Sequence, residues 1–212
     1  MVTVGIAGGT GAGKTTLARA LAESLADEGV TIVYQDSYYK DRDHLAFRER
    51  ENLNYDCPDA FEIDLLVSQL RMLKSGVAIE RPVYSFEQHA RADCTVRVEP
   101  QDVIVLEGIL ALYWQELREL LDLKVYVDTP ADIRFIRRLQ RDIEERGRVV
   151  EDTVTQYLET VRAMHATFVE PTREFADFVV PGDSEYGEPV GMLVSTVQEV
   201  LCRDRKGTRC GL

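Results

Sequence analysis

Lysine is scarce in this sequence, whereas acidic residues are abundant. Lysine occurs only at Lys14, Lys40, Lys74, Lys124 and Lys206, and 37 acidic residues against 25 basic ones give a formal net charge of −12. A surface of this sign repels the phosphate backbone of DNA and RNA. We therefore expect no nucleic-acid partner.

Long apolar runs and paired cysteines are also missing. No stretch of about 18 apolar residues occurs, so we expect no membrane span. The four cysteines, Cys57, Cys94, Cys202 and Cys210, are scattered and form no C-x-x-C pair. Free thiols in a reducing compartment are the simple interpretation. Because the chain enters its first predicted strand almost at once, we also expect no signal peptide. The sequence thus predicts a cytoplasmic protein without a membrane partner.

The glycine-rich stretch GGTGAGKTT at residues 8–16 fits the pattern G-x-x-x-x-G-K-[ST]. A short apolar strand precedes it, and apolar residues at helical spacing follow it, which is the setting that a phosphate-binding loop requires. Backbone N–H groups and the helix N-terminus would hold anionic oxygens. Lys14 would reach the β- and γ-phosphates, and the Thr15 hydroxyl would bind Mg²⁺. A glycine-rich turn with a solvated Lys14 is the alternative. The predicted nucleotide-binding residues are Gly8, Gly9, Thr10, Gly11, Ala12, Gly13, Lys14, Thr15 and Thr16.

The rest of the chain alternates between apolar strands and amphipathic helices without repeats. Strands are predicted at 31–35, 102–106, 124–127 and 178–180, and helices at 113–121, 131–145, 151–168 and 188–202. A helix ending near residue 74 is predicted to have Asp59 as its N-cap. Residues 81–86 and 95–98 read as a hairpin outside the main sheet. This pattern predicts one α/β domain over residues 1–212, with a parallel sheet between helices and a fraying tail at 203–212.

Two acidic residues follow predicted strands, where open parallel sheets bind their ligands. Asp36 comes directly after the second strand and is the candidate base for an acceptor hydroxyl, a helix or turn cap being the alternative. Glu107 ends a buried strand and is a second candidate ligand of Mg²⁺, directly or through water.

An arginine-rich segment could supply the cations that phosphoryl transfer requires. Arg134, Arg138 and Arg141 lie on one helical face. These arginines could equally form ordinary surface ion pairs with Asp142, Glu144 and Glu145. Spacing alone leaves the two interpretations equal.

Several motifs in order resemble the uridine kinase (uridine–cytidine kinase) family over about residues 2–182. They are GGTGAGKTT (8–16), QDSYYKD (35–41), NYDCPDAFE (54–62), RPVYSFEQHAR (81–91), VIVLEGILAL (103–112), RFIRRLQRDIEERGR (134–148) and the segment 156–181. The resemblance implies a P-loop kinase fold with an arginine-rich helical lid at about 134–150. It implies ATP-dependent or GTP-dependent phosphorylation of uridine and cytidine at the 5′-hydroxyl, with Mg²⁺, in a homo-oligomer, commonly a tetramer.

The resemblance also implies roles for single residues. Asp36 matches the general base, and Glu107 matches the acidic group near Mg²⁺. Asp36 is also a candidate ligand of the metal, together with Thr15 and Glu107. Arg141 and Arg146 match phosphate contacts and join Lys14 and Asp36 as catalytic candidates. The matching substrate-side residues are Tyr39, Tyr55, Asp56, Tyr84, Phe86, His89, Arg138, Arg148 and Gln156, of which Tyr84 and His89 match the pyrimidine-recognising pair.

Two other functions remain open from the sequence. A phosphoribulokinase-like kinase would share the loop and Asp36 but not the nucleoside pocket. A nucleotide-dependent switch would phosphorylate no small molecule, and the absence of an N-K-x-D segment in the sequence argues against a guanine-reading switch.

Overall fold

The computed structural model describes residues 1–183 and 186–207, and its centre is a five-stranded parallel sheet. The strands stand in the order β2-β5-β1-β6-β7. Their bounds are Val2–Gly8 (β1), Val30–Tyr34 (β2), Val103–Glu107 (β5), Leu123–Asp128 (β6) and Phe178–Pro181 (β7). In the register, Val4 pairs with Val105 on one side and with Leu123 on the other. The predicted parallel sheet is confirmed.

The helices cover both faces of this sheet. They are Lys14–Ser24 (α1), Phe47–Glu51 (α2), Ile63–Lys74 (α3), Gln115–Arg118 (α4), Ala131–Glu144 (α5), Val150–Gln156 (α6), Arg162–Met164 (α7) and Gly187–Gly207 (α8). None of the helices within the described ranges is both long and apolar enough to cross a membrane.

Two hydrophobic cores lie on opposite faces of the sheet. Side chains alternate across a strand, so Val2, Val4 and Ile6 pack with α1 and α8 in one core, while Ala7 belongs to the other core with α3. All seven residues of β1 are buried, as expected for a central strand covered on both faces. This burial fixes the position of the loop that follows β1.

The hairpin outside the main sheet is also confirmed, although it is longer than predicted. Strands Ile79–Ser85 (β3) and Ala90–Val98 (β4) pair antiparallel, with a register shift between Pro82 and Tyr84. The Arg91 guanidinium donates to Glu62 Oε2 at 2.8 Å, which fastens the hairpin to the beginning of α3. The hairpin therefore stands beside the carboxyl edge of the main sheet.

Several predicted boundaries differ from the structure. Asp59 lies in a short 3₁₀ turn, Pro58–Ala60, and Glu62 precedes α3 without a side-chain cap, so the predicted N-cap is wrong. The helix predicted at 151–168 is continuous, but it contains two π-helical turns, Tyr157–Val161 and His165–Val169, on either side of α7.

The C-terminal tail differs in part from the sequence prediction. Fraying is predicted from residue 203, but α8 continues through Gly207. The guanidinium of Arg205 donates to Asp102 at 2.7 Å and holds this end against the body of the protein. Residues 208–212 of the predicted tail lie outside the described residues.

Candidate active site

The loop between β1 and α1 has the backbone conformation of a tight phosphate-binding turn. Gly8, Gly11 and Gly13 have positive φ angles of 145°, 74° and 99°, which residues with a Cβ rarely adopt. The Lys14 ammonium donates to the Gly9 carbonyl at 3.0 Å and so lies across the loop. Burial lowers the pKa of Lys14, and Glu107 opposes this effect. A cation is therefore fixed over the loop at the start of α1.

The same loop packs tightly against distant parts of the chain. A Cβ at Gly9 would meet the Arg134 guanidinium, and one at Gly11 would meet the Arg134 carbonyl oxygen. The Thr129 hydroxyl donates to the Ala12 carbonyl at 2.9 Å, and the Tyr186 hydroxyl donates to the Gly13 carbonyl at 3.2 Å. The sequence motif missed Thr129 and Tyr186, because contacts between distant segments leave no local pattern.

Two carboxylates lie at the edge of the sheet beside this loop. Tyr34 of β2 pairs with Glu107 of β5, so Asp36, two residues after Tyr34, follows on the same edge. The Thr15 hydroxyl donates to Glu107 Oε1 at 3.2 Å, while the buried Oε2 has no hydrogen-bond partner among the described residues. Burial raises the pKa of Glu107, against the opposing effect of the Lys14 charge.

One cleft, with a cavity volume of about 90 Å³, joins the loop to the hairpin and the lid. It contains every catalytic, substrate-side and metal candidate taken from the sequence. These are Lys14, Thr15, Asp36, Tyr39, Tyr55, Asp56, Tyr84, Phe86, His89, Glu107, Arg138, Arg141, Arg146, Arg148 and Gln156, and Thr10 of the nucleotide-binding loop lines the cleft beside them. An adjoining groove contains Gly11, Gly13 and Thr16 as well. Gly8 and Ala12 are buried below the loop, and Gly9 faces a separate cavity with Arg134.

Aromatic side chains form one wall of the cleft. The Tyr39 ring lies 5.2 Å from Tyr55 and 5.0 Å from Tyr84, and Phe86 lies 5.4 Å from Tyr84, measured between ring centroids. The His89 imidazole stacks on Tyr55 at 5.6 Å. Burial lowers the pKa of His89, and the Arg148 charge adds to this effect. The lowered pKa favours the neutral imidazole, which has one donor and one acceptor nitrogen.

Another part of the lining forms a polar wall that includes Asp56. Burial raises the pKa of Asp56, and the Arg138 charge opposes this rise. Arg138 and Arg148 both donate to Gln156 Oε1, at 2.8 and 2.6 Å. The amide oxygen of Gln156 therefore holds two guanidinium groups, of which that of Arg138 lies 3.9 Å from Asp56.

The lid arginines contact both ends of the cleft. Arg141 Nη2 lies 3.4 Å from the Thr10 hydroxyl of the glycine-rich loop. The Arg146 guanidinium lies 3.9 Å above the Phe86 ring of the hairpin, within cation–π range. The lid thus connects the phosphate-binding loop with the aromatic wall.

The ion pairs with Asp142 that helical spacing predicts are present, but they are buried and do not lie on the surface. The Asp142 carboxylate is fully buried and lies 3.0 Å from Arg141, 3.3 Å from Arg146 and 3.4 Å from Arg138. Glu144, in contrast, is exposed to solvent. Helical spacing identified the pairing partners but not their burial.

A phosphate-binding loop after β1, acidic residues at the neighbouring strand ends and an arginine-rich lid define a P-loop kinase. The model of the phosphoribulokinase / uridine kinase family matches residues 3–185. This chain belongs to that family.

Individual relatives agree with this assignment. A uridine kinase of Lactobacillus johnsonii is 49% identical over 94% of this chain and 95% of the relative. A uridine kinase of Geobacillus sp. is 48% identical, again over 94% and 95%. Among solved structures, a D-glycerate 3-kinase from Cryptococcus neoformans superposes with a TM-score of 0.63 over 87% of each chain, at 17% identity, and supports the fold alone.

Proposed function

We propose that this enzyme transfers the terminal phosphoryl group of ATP to the 5′-hydroxyl of uridine and cytidine, giving UMP and CMP. One observation carries the proposal: the aromatic wall around His89 opens into the same cleft as Lys14 and Asp36. A nucleoside base against that wall would place its ribose toward the phosphate-binding loop. The uridine kinase relatives, at 48–49% identity, support the same acceptor.

The aromatic wall suits a single pyrimidine ring. Tyr84 and Phe86 would pack against the base, and the neutral His89 would contact its Watson–Crick edge. Because a neutral imidazole has one donor and one acceptor nitrogen, it can donate to O4 of uracil or accept from the amino group of cytosine. Both pyrimidine nucleosides are therefore expected substrates.

The polar wall suits a ribose. A carboxylate accepts hydrogen bonds from two vicinal hydroxyls, and Asp56 is the buried carboxylate on this side of the cleft. Tyr55 precedes Asp56 in the chain and its ring contacts that of Tyr39, while Gln156 accepts hydrogen bonds from Arg138 and Arg148. These residues would orient the 5′-hydroxyl toward the loop.

For the transfer, Asp36 would accept the proton of the nucleoside 5′-hydroxyl while the oxygen of that hydroxyl forms the new bond to the terminal phosphorus of ATP. The bond from phosphorus to the bridging oxygen breaks, and ADP leaves. Lys14, Arg141 and Arg146 would stabilise the charge on the transferring group. Closure of the lid would exclude water, which limits hydrolysis of ATP.

The residues beside the loop fit a magnesium ion that is shared with phosphates. Thr15 and Glu107 offer oxygen ligands. Glu107 Oε2 has no hydrogen-bond partner among the described residues and could bind the ion. Asp36 lines the same cleft. Within the described ranges no group of three or more His, Cys, Asp and Glu residues could hold a metal by itself. Phosphate oxygens would complete the octahedral shell that Mg²⁺ requires. When bound, the ion neutralises phosphate charge.

Other features stay predictions. GTP in place of ATP as donor and a homotetrameric assembly rest on family resemblance. A cytoplasmic location is supported by the free thiols of Cys57, Cys94 and Cys202 in the described part of the chain. A phosphoribulokinase-like kinase is not favoured, because a sugar phosphate has no base for the aromatic wall to hold. A switch is not favoured either, because it phosphorylates no small molecule and needs no acceptor base such as Asp36 beside the loop.

The test is a comparison of kcat/KM for uridine, cytidine, adenosine and ribulose 5-phosphate with ATP as donor. Uridine and cytidine are expected to be phosphorylated, and adenosine to be a poor acceptor because the pocket suits one ring. Preference for adenosine or ribulose 5-phosphate would contradict the proposal. Hydrolysis of ATP without transfer to any acceptor would favour the switch.

A further inference from the structure

The fully buried carboxylate of Asp142 is surrounded by the arginines of the lid. Oδ1 accepts hydrogen bonds from Arg141 at 3.0 Å (Nη2) and 3.2 Å (Nε), and it lies 3.3 Å from Arg146 Nη1. Oδ2 lies 3.4 Å from Arg138 Nε. The main-chain carbonyl of the same residue accepts a hydrogen bond from the Arg148 N–H at 3.0 Å. One residue thus contacts four arginines of the cleft.

The position of Asp142 is unfavourable in every other respect. It lies in the last turn of α5, where the negative end of the helix dipole disfavours an acidic side chain. Complete burial of a carboxylate adds a desolvation cost that only good pairing can offset. The arginines must therefore compensate both costs, mainly at Oδ1, because Oδ2 has a charge contact with Arg138 but no hydrogen-bond partner among the described residues. This requirement ties the positions of the arginines to that of Asp142.

The three guanidinium groups that meet at Asp142 point to different parts of the cleft. Arg141 reaches Thr10 of the phosphate-binding loop, Arg146 covers Phe86 of the hairpin, and Arg138 lies 3.9 Å from Asp56. Without the Asp142 carboxylate between them, the three positively charged guanidinium groups would repel one another and move apart.

We propose that Asp142 is the positioning residue of the lid: it holds Arg138, Arg141 and Arg146 in the places from which they act on phosphate and nucleoside. The inference rests on the proposed function, because these arginines matter only if phosphoryl transfer occurs in this cleft. Asp142 itself contacts no substrate and acts through the arginines.

The first test combines Asp142→Asn with Arg141→Ala in a double-mutant cycle, with Glu144→Gln as the matched control on the same helix. For Asp142→Asn we expect kcat to fall about 10- to 100-fold, because small misplacements of charged groups cost about this much. KM for ATP should stay within about threefold of wild type, because the loop and Lys14 are unchanged. Glu144→Gln should behave as wild type.

The cycle separates positioning from general stability. If Asp142 acts through Arg141, the double variant should be little slower than the slower single variant. The inference would be overturned if the fold-loss of kcat in the double variant equalled the product of the two single-variant losses. It would also be overturned if Asp142→Asn had wild-type kcat. A wild-type enzyme that phosphorylates no nucleoside would instead overturn the proposed function.

A second variant covers the case that Asp142→Asn does not fold. Asp142→Glu keeps the charge but moves it by one methylene, so positioning predicts a kcat at least about tenfold below wild type. Normal kcat in Asp142→Glu would show that the charge alone suffices, which would also overturn the inference.

Discussion

Arg138 Nη1 lies 3.9 Å from Asp56 Oδ1, and both side chains are nearly buried, with 7% and 14% exposed. Arg138 belongs to the lid helix α5, whereas Asp56 belongs to the segment that precedes α3. The pair therefore joins the lid to the polar wall of the cleft.

Asp36→Asn should lower kcat by about 10²–10⁴-fold, the usual contribution of a general base. The affinity for ATP should change little, because the glycine-rich loop and Lys14 are unaltered. Steady-state kinetics with uridine, together with calorimetric titration of ATP, provide the measurement. Asp43→Asn, an exposed carboxylate in the following loop, is the control. Near-normal turnover in Asp36→Asn would remove this residue from the mechanism.

Arg141→Ala and Arg146→Ala should reduce kcat by at least about tenfold, because each removes a cation from the transferring phosphoryl group. The melting temperature should fall less than in a core variant, since both side chains are partly exposed, at 31% and 22%. Arg71→Ala, an exposed arginine of α3, serves as control. Large losses of thermal stability with full turnover would restore the ion-pair interpretation for these two arginines.

Asp56 should make the enzyme select ribose over 2′-deoxyribose. Loss of a hydrogen bond to a charged group costs about 1.5–3 kcal/mol, which corresponds to roughly a ten- to hundredfold lower kcat/KM for deoxyuridine than for uridine. In Asp56→Asn the ratio of kcat/KM for uridine to that for deoxyuridine should be smaller, mainly because kcat/KM for uridine falls. An unchanged ratio in the variant would mean that another group reads the 2′-hydroxyl.

His165 should make the folded protein sensitive to mild acid. Burial lowers its pKa from 6.5 to about 4, with Arg134 and Lys14 adding to the effect. The unfolded chain then binds the proton first, so this group lowers the free energy of unfolding as pH falls from about 6.5 to about 4. His165→Gln should weaken the dependence of the urea midpoint on pH in this window. His44→Gln, at an exposed histidine, should not.

The sheet and the phosphate-binding loop were predictable because their signals are local. A buried parallel strand such as β5 is a continuous apolar run, and the loop that follows β1 has a fixed glycine spacing. The acidic residues at the strand ends followed from the general location of ligands in open sheets. Local patterns therefore identified the main fold and much of the cleft.

Other features depend on contacts between distant segments. Thr129 and Tyr186 reach the loop from far along the chain, and no spacing rule connects them with it. The burial of Asp142 depends on how α5 packs, whereas helical periodicity gives only the side on which it lies. The π turns on either side of α7 could not be predicted from the sequence, because their residues have the same pattern as those of an ordinary α-helix.

Gly9 and Gly11 contact Arg134 closely, so these glycines also allow α5 to pack against the phosphate-binding loop. A side chain at Gly11 would push against the main chain of α5 and separate the lid helix from the sheet. A natural variant at this position would therefore appear first as poor expression or insoluble protein. The loss of activity in such a variant would not measure nucleotide affinity. The variant should be classified as a folding defect and not as a binding defect.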